Sequence, residues 1–288
     1  MTPDAAARAA LVRVGVADPC VEHIRTGTNA VFRCEDMAVR VSDATYDLIS
    51  LYEQVDLVDF LVRQGFPTPI RRSPVMDVDG AIVSCWQWIE SMGEPSGRDL
   101  GSLLRHFHDV ASAYPGRAPE WAPQLRAQAR IEDVRVGIEA PDRALLEEQL
   151  HRLLEAVDEA DLGPTGLIHG DVHAGNVIVG AQGCQLIDFE RFCRGPLEWD
   201  LTQQGAQRRF FDGSVRGWDD FITAYGEVHL SPHFDDLVEL RALIMTTWLL
   251  TVPVSPAVER EREIRLDYWR RRAAEGGPPE AFVPWSPV

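Results

Sequence analysis

Leu167-Ile168-His169-Gly170-Asp171-Val172-His173-Ala174-Gly175-Asn176-Val177-Ile178-Val179 sets a polar loop between two apolar runs of β type, and Leu186-Ile187-Asp188-Phe189-Glu190 adds a third run after a short turn. Gly180 and Gly183 supply the residues that let two strands fold back on each other, so 177–187 reads as a hairpin. That folding brings Asn176 and Asp188 to the same end of the pair.

Three oxygen-bearing side chains are thereby spaced for one kind of chemistry. Moving a phosphoryl group from a nucleotide demands positioning above all: a carboxylate to orient the acceptor hydroxyl, and oxygen ligands for a magnesium ion bridging the phosphates. Asp171 fits the first role, Asn176 and Asp188 the second. At average residue usage, His169, Asp171, Asn176 and Asp188 at this spacing arise by accident in roughly one chain of this length per thousand. A rival reading takes His169, Asp171 and His173 as zinc ligands on one side of an extended segment, with hydrolysis as the activity. Gly170 and Gly175 favour a loop over a strand there, and neither His106/His108 nor His229/His233 has an acidic partner at a metal-binding spacing.

The HGDVHAGNVIV and LIDFE segments resemble those of the aminoglycoside phosphotransferase and choline kinase-like family, whose catalytic loop is similar to that of protein kinases. The resemblance implies an α+β, two-lobed protein-kinase-like fold, with a small β-rich nucleotide-binding lobe over 1–90 and a larger helical lobe over 91–288. It implies ATP or GTP and magnesium as cofactors. It also gives His169 the task of ordering the loop, and Asp200 that of bracing it, although Asp200 reads equally as a helix N-cap.

Other segments fall into line with that resemblance. Runs at 22–26, 30–34 and 37–41 predict a three-stranded meander after a short helix over 4–16. The turn Gly27-Thr28-Asn29 resembles the family's nucleotide-binding loop, where a glycine lets backbone amides approach a phosphate. Arg40 stands on the third strand where kinases carry a lysine for the α and β phosphates, and its guanidinium grips phosphate through two parallel hydrogen bonds. Apolar residues at helical spacing predict a helix over 45–64, on which Glu53, or Asp56 a turn later, is the carboxylate that the resemblance pairs with Arg40. The β-rich run 81–90 resembles the connection between lobes, with the backbone of Gln87, Trp88 and Ile89 facing the purine. Helices are expected over 98–113, 141–160, 218–225, 234–250 and 257–274, with His108 a core histidine and a Pro-rich tail from Gly276 held by Phe282 or Trp285. Between Ala118 and Val136 the signal is mixed.

Totals bound the function. The chain of 288 residues carries a formal charge of −17, which argues against nucleic acid as a partner, since phosphate backbones are bound through basic surfaces. It permits a cationic acceptor, and the resemblance implies that the C-terminal region, with Asp212, Asp219, Asp220, Glu227, Asp235 and Asp236, shapes the acceptor pocket and presents carboxylates to one. Every basic side chain other than histidine is arginine; lysine does not occur. The five cysteines form no CxxC pair, which fits a reducing cytoplasm, and no apolar stretch is long enough to span a bilayer. The expected activity is transfer of a γ-phosphoryl group to a hydroxyl of a small molecule, an aminoglycoside or other antibiotic first. Choline, homoserine or sugar kinases, and a nucleotide-binding pseudokinase, are the alternatives; substrate-binding residues and oligomeric state stay open.

Overall fold

The computed structural model describes residues 1–27, 29–42, 48–133, 137–158, 162–211, 215–228 and 230–287. Thr28, Asp212, His229, the expected helix start at 45–47 and the helix end at 159 and 160 lie outside them.

The N-terminal part is built on an antiparallel sheet. β1 (Glu22–Thr26), β2 (Ala30–Cys34) and β3 (Met37–Ser42) form the expected meander, and β5 (Ala81–Gln87) extends it by pairing Arg40 with Ser84 and Val39 with Cys85. β4 (Met76–Val78) closes the order β1-β2-β3-β5-β4. The meander is therefore three strands of five. The extra pairing buries Val39, Val83 and Cys85, and local patterning does not reveal it because β3 and β5 are separated by a helix. Helix α1 (Pro3–Arg13) covers one face with Ala6, Ala7, Ala10 and Leu11. Its start is set by Thr2, whose hydroxyl accepts from the Ala5 amide at 3.3 Å, and by Pro3 in the first turn.

Helix α2 (Leu48–Arg63) joins the two parts: Leu51 and Val55 pack on Ile82 of the sheet, whereas Leu57, Val58 and Leu61 belong to the large C-terminal core. That core is helical. It contains α3 (Gly97–Ala111), α4 (Gln124–Glu132), α5 (Ala140–Asp158), α6 (Thr202–Phe210), α7 (Val215–Tyr225), α8 (Phe234–Leu249) and α9 (Pro256–Glu275). α3 begins at a capping box in which Ser96 and Asp99 each accept from the other's backbone amide. Its leucines and Phe107 recur at helical spacing and are buried, each such side chain contributing about 1.5–3 kcal/mol. α3 crosses α7 closely: a Cβ on Gly97 would fall 2.2 Å from the Gly217 carbonyl oxygen, and one on Gly101 2.1 Å from that of Phe221.

Two small ribbons lie on this helical body. β6 (Thr165–Ile168) pairs with β9 (Cys193–Pro196), and β7 (Val177–Gly180) with β8 (Gly183–Leu186) in the predicted hairpin. The tail returns to the core, where the Trp285 amide donates to the Phe210 carbonyl at 2.7 Å and its indole stacks on the Phe210 ring at 4.5 Å. No helix among the described residues is long and apolar enough to cross a membrane.

Candidate active site

The loop after β6 turns at Gly170, whose φ of +84° is accessible to glycine and whose missing Cβ makes room for the Arg191 carbonyl. Asp200 holds that turn. Its carboxylate accepts from the backbone amides of His169 at 2.7 Å and Gly170 at 2.6 Å, and lies 3.0 Å from Nε2 of His108. His108 is in turn fixed by the Tyr225 hydroxyl at 2.8 Å. Burial alone would raise Asp200, but the His108 hydrogen bond, the nearby imidazoles and the His169 amide together hold it below the ordinary carboxylate range. The carboxylate therefore caps the loop rather than the start of its own helix.

His169 orders the segment from below. With Nε2 donating to the Ile187 carbonyl at 3.0 Å, Nδ1 is left to accept from the Asp171 amide at 3.3 Å. Both ring nitrogens are committed to backbone, which removes His169 as a zinc ligand. His173 spends Nδ1 on the Gly175 amide at 3.1 Å. Among the described residues no cluster of three histidine, cysteine or acidic side chains is arranged for a metal. The zinc-hydrolase reading fails on these grounds.

Asp171 is one-quarter exposed and flanked by two arginines, Arg191 Nε at 3.0 Å and Arg241 Nη1 at 3.8 Å. Burial alone would raise its carboxyl, but Arg191 and then Arg241 hold it below the usual range, so it is ionised at neutral pH. Arg241 is buried within α8, stacked 4.1 Å over Trp199, and donates to the carbonyl of Gly170 and the hydroxyl of Thr202. Its burial lowers it to about 10, which leaves it charged.

Asn176 sits in a short turn between the loop and the hairpin. Its amide nitrogen donates to the Asp171 carbonyl at 2.9 Å, which leaves the amide oxygen to act as an acceptor, and its own backbone carbonyl accepts from the Ile187 amide at 2.9 Å. Asp188 follows at φ 67°, ψ 61°, a left-handed conformation that a non-glycine residue adopts at a local cost. Its Oδ1 is buried with no hydrogen-bond partner among the described residues, a deficit of about 1–3 kcal/mol in the isolated chain. An amide oxygen and an orphaned carboxylate oxygen are hard donors suited to magnesium, so the residues present fit such an ion.

Asp188 also lines a cavity of 460 Å³ between the sheet and the hairpin, a size in the range of small-ligand sites. Val31 and Ala38 wall it on the sheet side, Ile178 and Ile187 on the hairpin side. Gly27, Asn29, Arg40, Gln87, Trp88 and Ile89 all border it. The Gln87 amide already donates to Ile70 and the Trp88 amide to Asp36, both at 2.7 Å, so that of the three only the Ile89 N–H lacks a protein acceptor among the described residues. Ile89 is seated against Gly180, where a Cβ would come 2.7 Å from its Cγ2.

Glu53 is elsewhere. Its carboxylate approaches Arg117 at 3.8 Å, Asp56 is exposed, and the α2 residues that line the cavity are Gln54 and Val58. Arg40 is paired instead with Glu190, directly after Asp188-Phe189. Asn29 donates to the same carboxylate at 2.7 Å and accepts from the Ser42 hydroxyl, so the turn, the third strand and the segment after the hairpin meet at one carboxylate. Sequence reasoning missed Glu190, Arg191 and Arg241. A signal existed for Arg241: a lone cation inside the buried run Leu237–Ile244 of α8 needs a polar partner.

A small antiparallel sheet over a helical body, with a second Asp lining the cleft between them and an Asn that ties its hairpin to the Asp loop, is the arrangement of kinase-like phosphotransferases. Residues 24–241 match the model of the phosphotransferase enzyme family, and the chain belongs to that family. Solved structures share its fold. An amicoumacin kinase, hAmiN, in complex with AMP-PNP, calcium and amicoumacin superposes with a TM-score of 0.71 at 13% identity, covering 91% of this chain and 90% of that one. A microcompartment-associated aminopropanol kinase gives 0.73 at 19% identity, covering 95% and 98%. A choline/ethanolamine kinase family protein from Mesorhizobium loti gives 0.64 at 17%, covering 94% of each. No curated protein sequence matches the chain.

Proposed function

We propose that this phosphotransferase moves the γ-phosphoryl group of ATP or GTP to a hydroxyl of a small molecule in the cytoplasm, with residues 1–90 binding the nucleotide and 91–288 supplying the catalytic loop and acceptor site. The observation that carries the reading is the orphaned Asp188 oxygen on the cleft, joined through Asn176 to the loop that presents Asp171. Asp171 accepts a hydrogen bond from the acceptor hydroxyl, aligns its oxygen in line with the γ-phosphorus and takes its proton late. The bond from γ-phosphorus to the bridging oxygen breaks as the bond to the acceptor oxygen forms, and the proton leaves through Asp171. Asn176 and Asp188 hold magnesium, which when bound neutralises charge on the phosphate oxygens. Arg40, Gly27 and Asn29, which border the cavity, hold the phosphates that are not transferred.

Relatives that act on an antibiotic and on amino alcohols support a hydroxyl-bearing small molecule, an antibiotic included, as acceptor. The test is nucleotide consumption with magnesium and a panel of hydroxyl compounds. Acceptor-dependent turnover is expected in the native enzyme and not in Asp171→Asn; nucleotide binding without turnover on any acceptor identifies a pseudokinase.

A further inference from the structure

The overall charge of −17 suits a cation, but the charges beside Asp171 have the other sign. Arg191 and Arg241 flank its carboxylate. A third arginine, Arg130 of α4, reaches across to α8, where its Nη1 lies 3.5 Å from the Ile244 carbonyl oxygen. Ile244 stands three residues beyond Arg241, about 4.5 Å of helix rise. Arg130 is half-buried, and among the described residues it pairs with no carboxylate. Its burial, and then the like charges of Arg191 and Arg126, lower it to about 10, with Asp171 acting in the opposite sense. Arg126 lies one turn earlier on the same face of α4, and like charges at that spacing destabilise a helix. Of the candidate carboxylates among the described residues, none lines the cavity beside Asp188: Asp219, Asp220, Glu227 and Asp235 are exposed, Asp220 lies 4.0 Å from Arg98, and Asp236 pairs with His233 at 3.3 Å.

We propose that the acceptor carries an anionic group, a carboxylate or a phosphate, which Arg130 receives while the hydroxyl a few bonds away meets Asp171. This rests on the phosphotransferase reading above and narrows its acceptor to hydroxy acids or phosphorylated alcohols. A half-buried guanidinium without a carboxylate gains a charge-assisted partner, and a polycation is repelled by the same group.

Two measurements test it. Inorganic phosphate is titrated calorimetrically into the enzyme saturated with AMP-PNP and magnesium, as the native chain, Arg130→Gln and Arg130→Lys. Saturable phosphate binding is expected, weakened about tenfold or more in Arg130→Gln and largely kept in Arg130→Lys. No binding, or equal binding in the native chain and Arg130→Gln, overturns the proposal. Turnover is then compared for glycerate and glycerol 3-phosphate against aminopropanol and spectinomycin. A preference for either anion, with KM raised more than kcat is lowered in Arg130→Gln, is the expected outcome and tells carboxylate from phosphate. Preference for the amines overturns it, and the titration decides where no panel member reacts. Failure of both AMP-PNP and its guanine counterpart GMP-PNP to bind refutes the phosphotransferase reading instead.

Discussion

Arg191 Nε stands 3.0 Å from Asp171 Oδ2, beside the glycine turn that presents the carboxylate. The two are twenty residues apart in the chain, yet Gly170 has no Cβ because the Arg191 carbonyl needs that space. The pair therefore depends on the turn, and the turn depends on Asp200.

The arginines keep Asp171 ionised against its burial. In Arg191→Met the burial remains and one cation is gone, so the Asp171 pKa rises. A base with a raised pKa is lost at a higher pH. The acid limb of kcat/KM for phosphoryl transfer is expected to move upward relative to the native enzyme, with the ratio of rates at pH 5 and pH 8 falling. An unshifted limb contradicts the assignment of Asp171 as the base.

Asp200 makes its contribution to stability through the charged form. Its folded pKa lies below the unfolded value, so that contribution is present above about pH 4, the ordinary carboxylate value, and is lost as pH falls through the folded pKa. Asp200→Asn removes it at all pH and leaves His108 and two backbone amides facing a weaker acceptor. Denaturant unfolding at pH 7 is expected to show a loss of about 3–5 kcal/mol, shrinking towards pH 3; a loss independent of pH contradicts the charge argument.

Glu190 joins Arg40 and Asn29 in the protein without nucleotide. Glu190→Gln is expected to destabilise it by about 1–3 kcal/mol. Saturating nucleotide with magnesium offers Arg40 phosphate oxygens instead, so the difference between variant and native chain is expected to shrink when unfolding is repeated with ligand. Equal losses in both conditions argue against Arg40 as a phosphate ligand.

The α3–α7 crossing is set by backbone contact. Gly101→Ala drives a methyl group into the Phe221 carbonyl at 2.1 Å, and because the obstacle is backbone the helices must separate. A loss of about 1–3 kcal/mol is expected, read as a lower denaturation midpoint. Tyr225, which fixes His108, lies on α7, so activity is expected to fall as well.

Much of this was legible in the residues. The hairpin from Val177 to Leu186, the amphipathic helices and the meander follow periodicity and turn chemistry, which are local. The partner of Arg40 was not legible: Glu53 stands at a plausible helical position, but its direction on α2 is one residue off the cavity, and Glu190 reaches Arg40 across 150 positions. The sign of the charge around Asp171 was hidden for the same reason. Net charge is summed over the whole surface, whereas Arg130, Arg191 and Arg241 come from three distant segments that only packing assembles.

The most direct measurement is transfer of label from γ-labelled ATP to an acceptor that the native enzyme phosphorylates, compared with Asp171→Asn under saturating magnesium and nucleotide. The expected result is nucleotide affinity within about twofold of the native value and a transfer rate lower by about 10²–10⁴. Transfer at the native rate by Asp171→Asn would contradict the account.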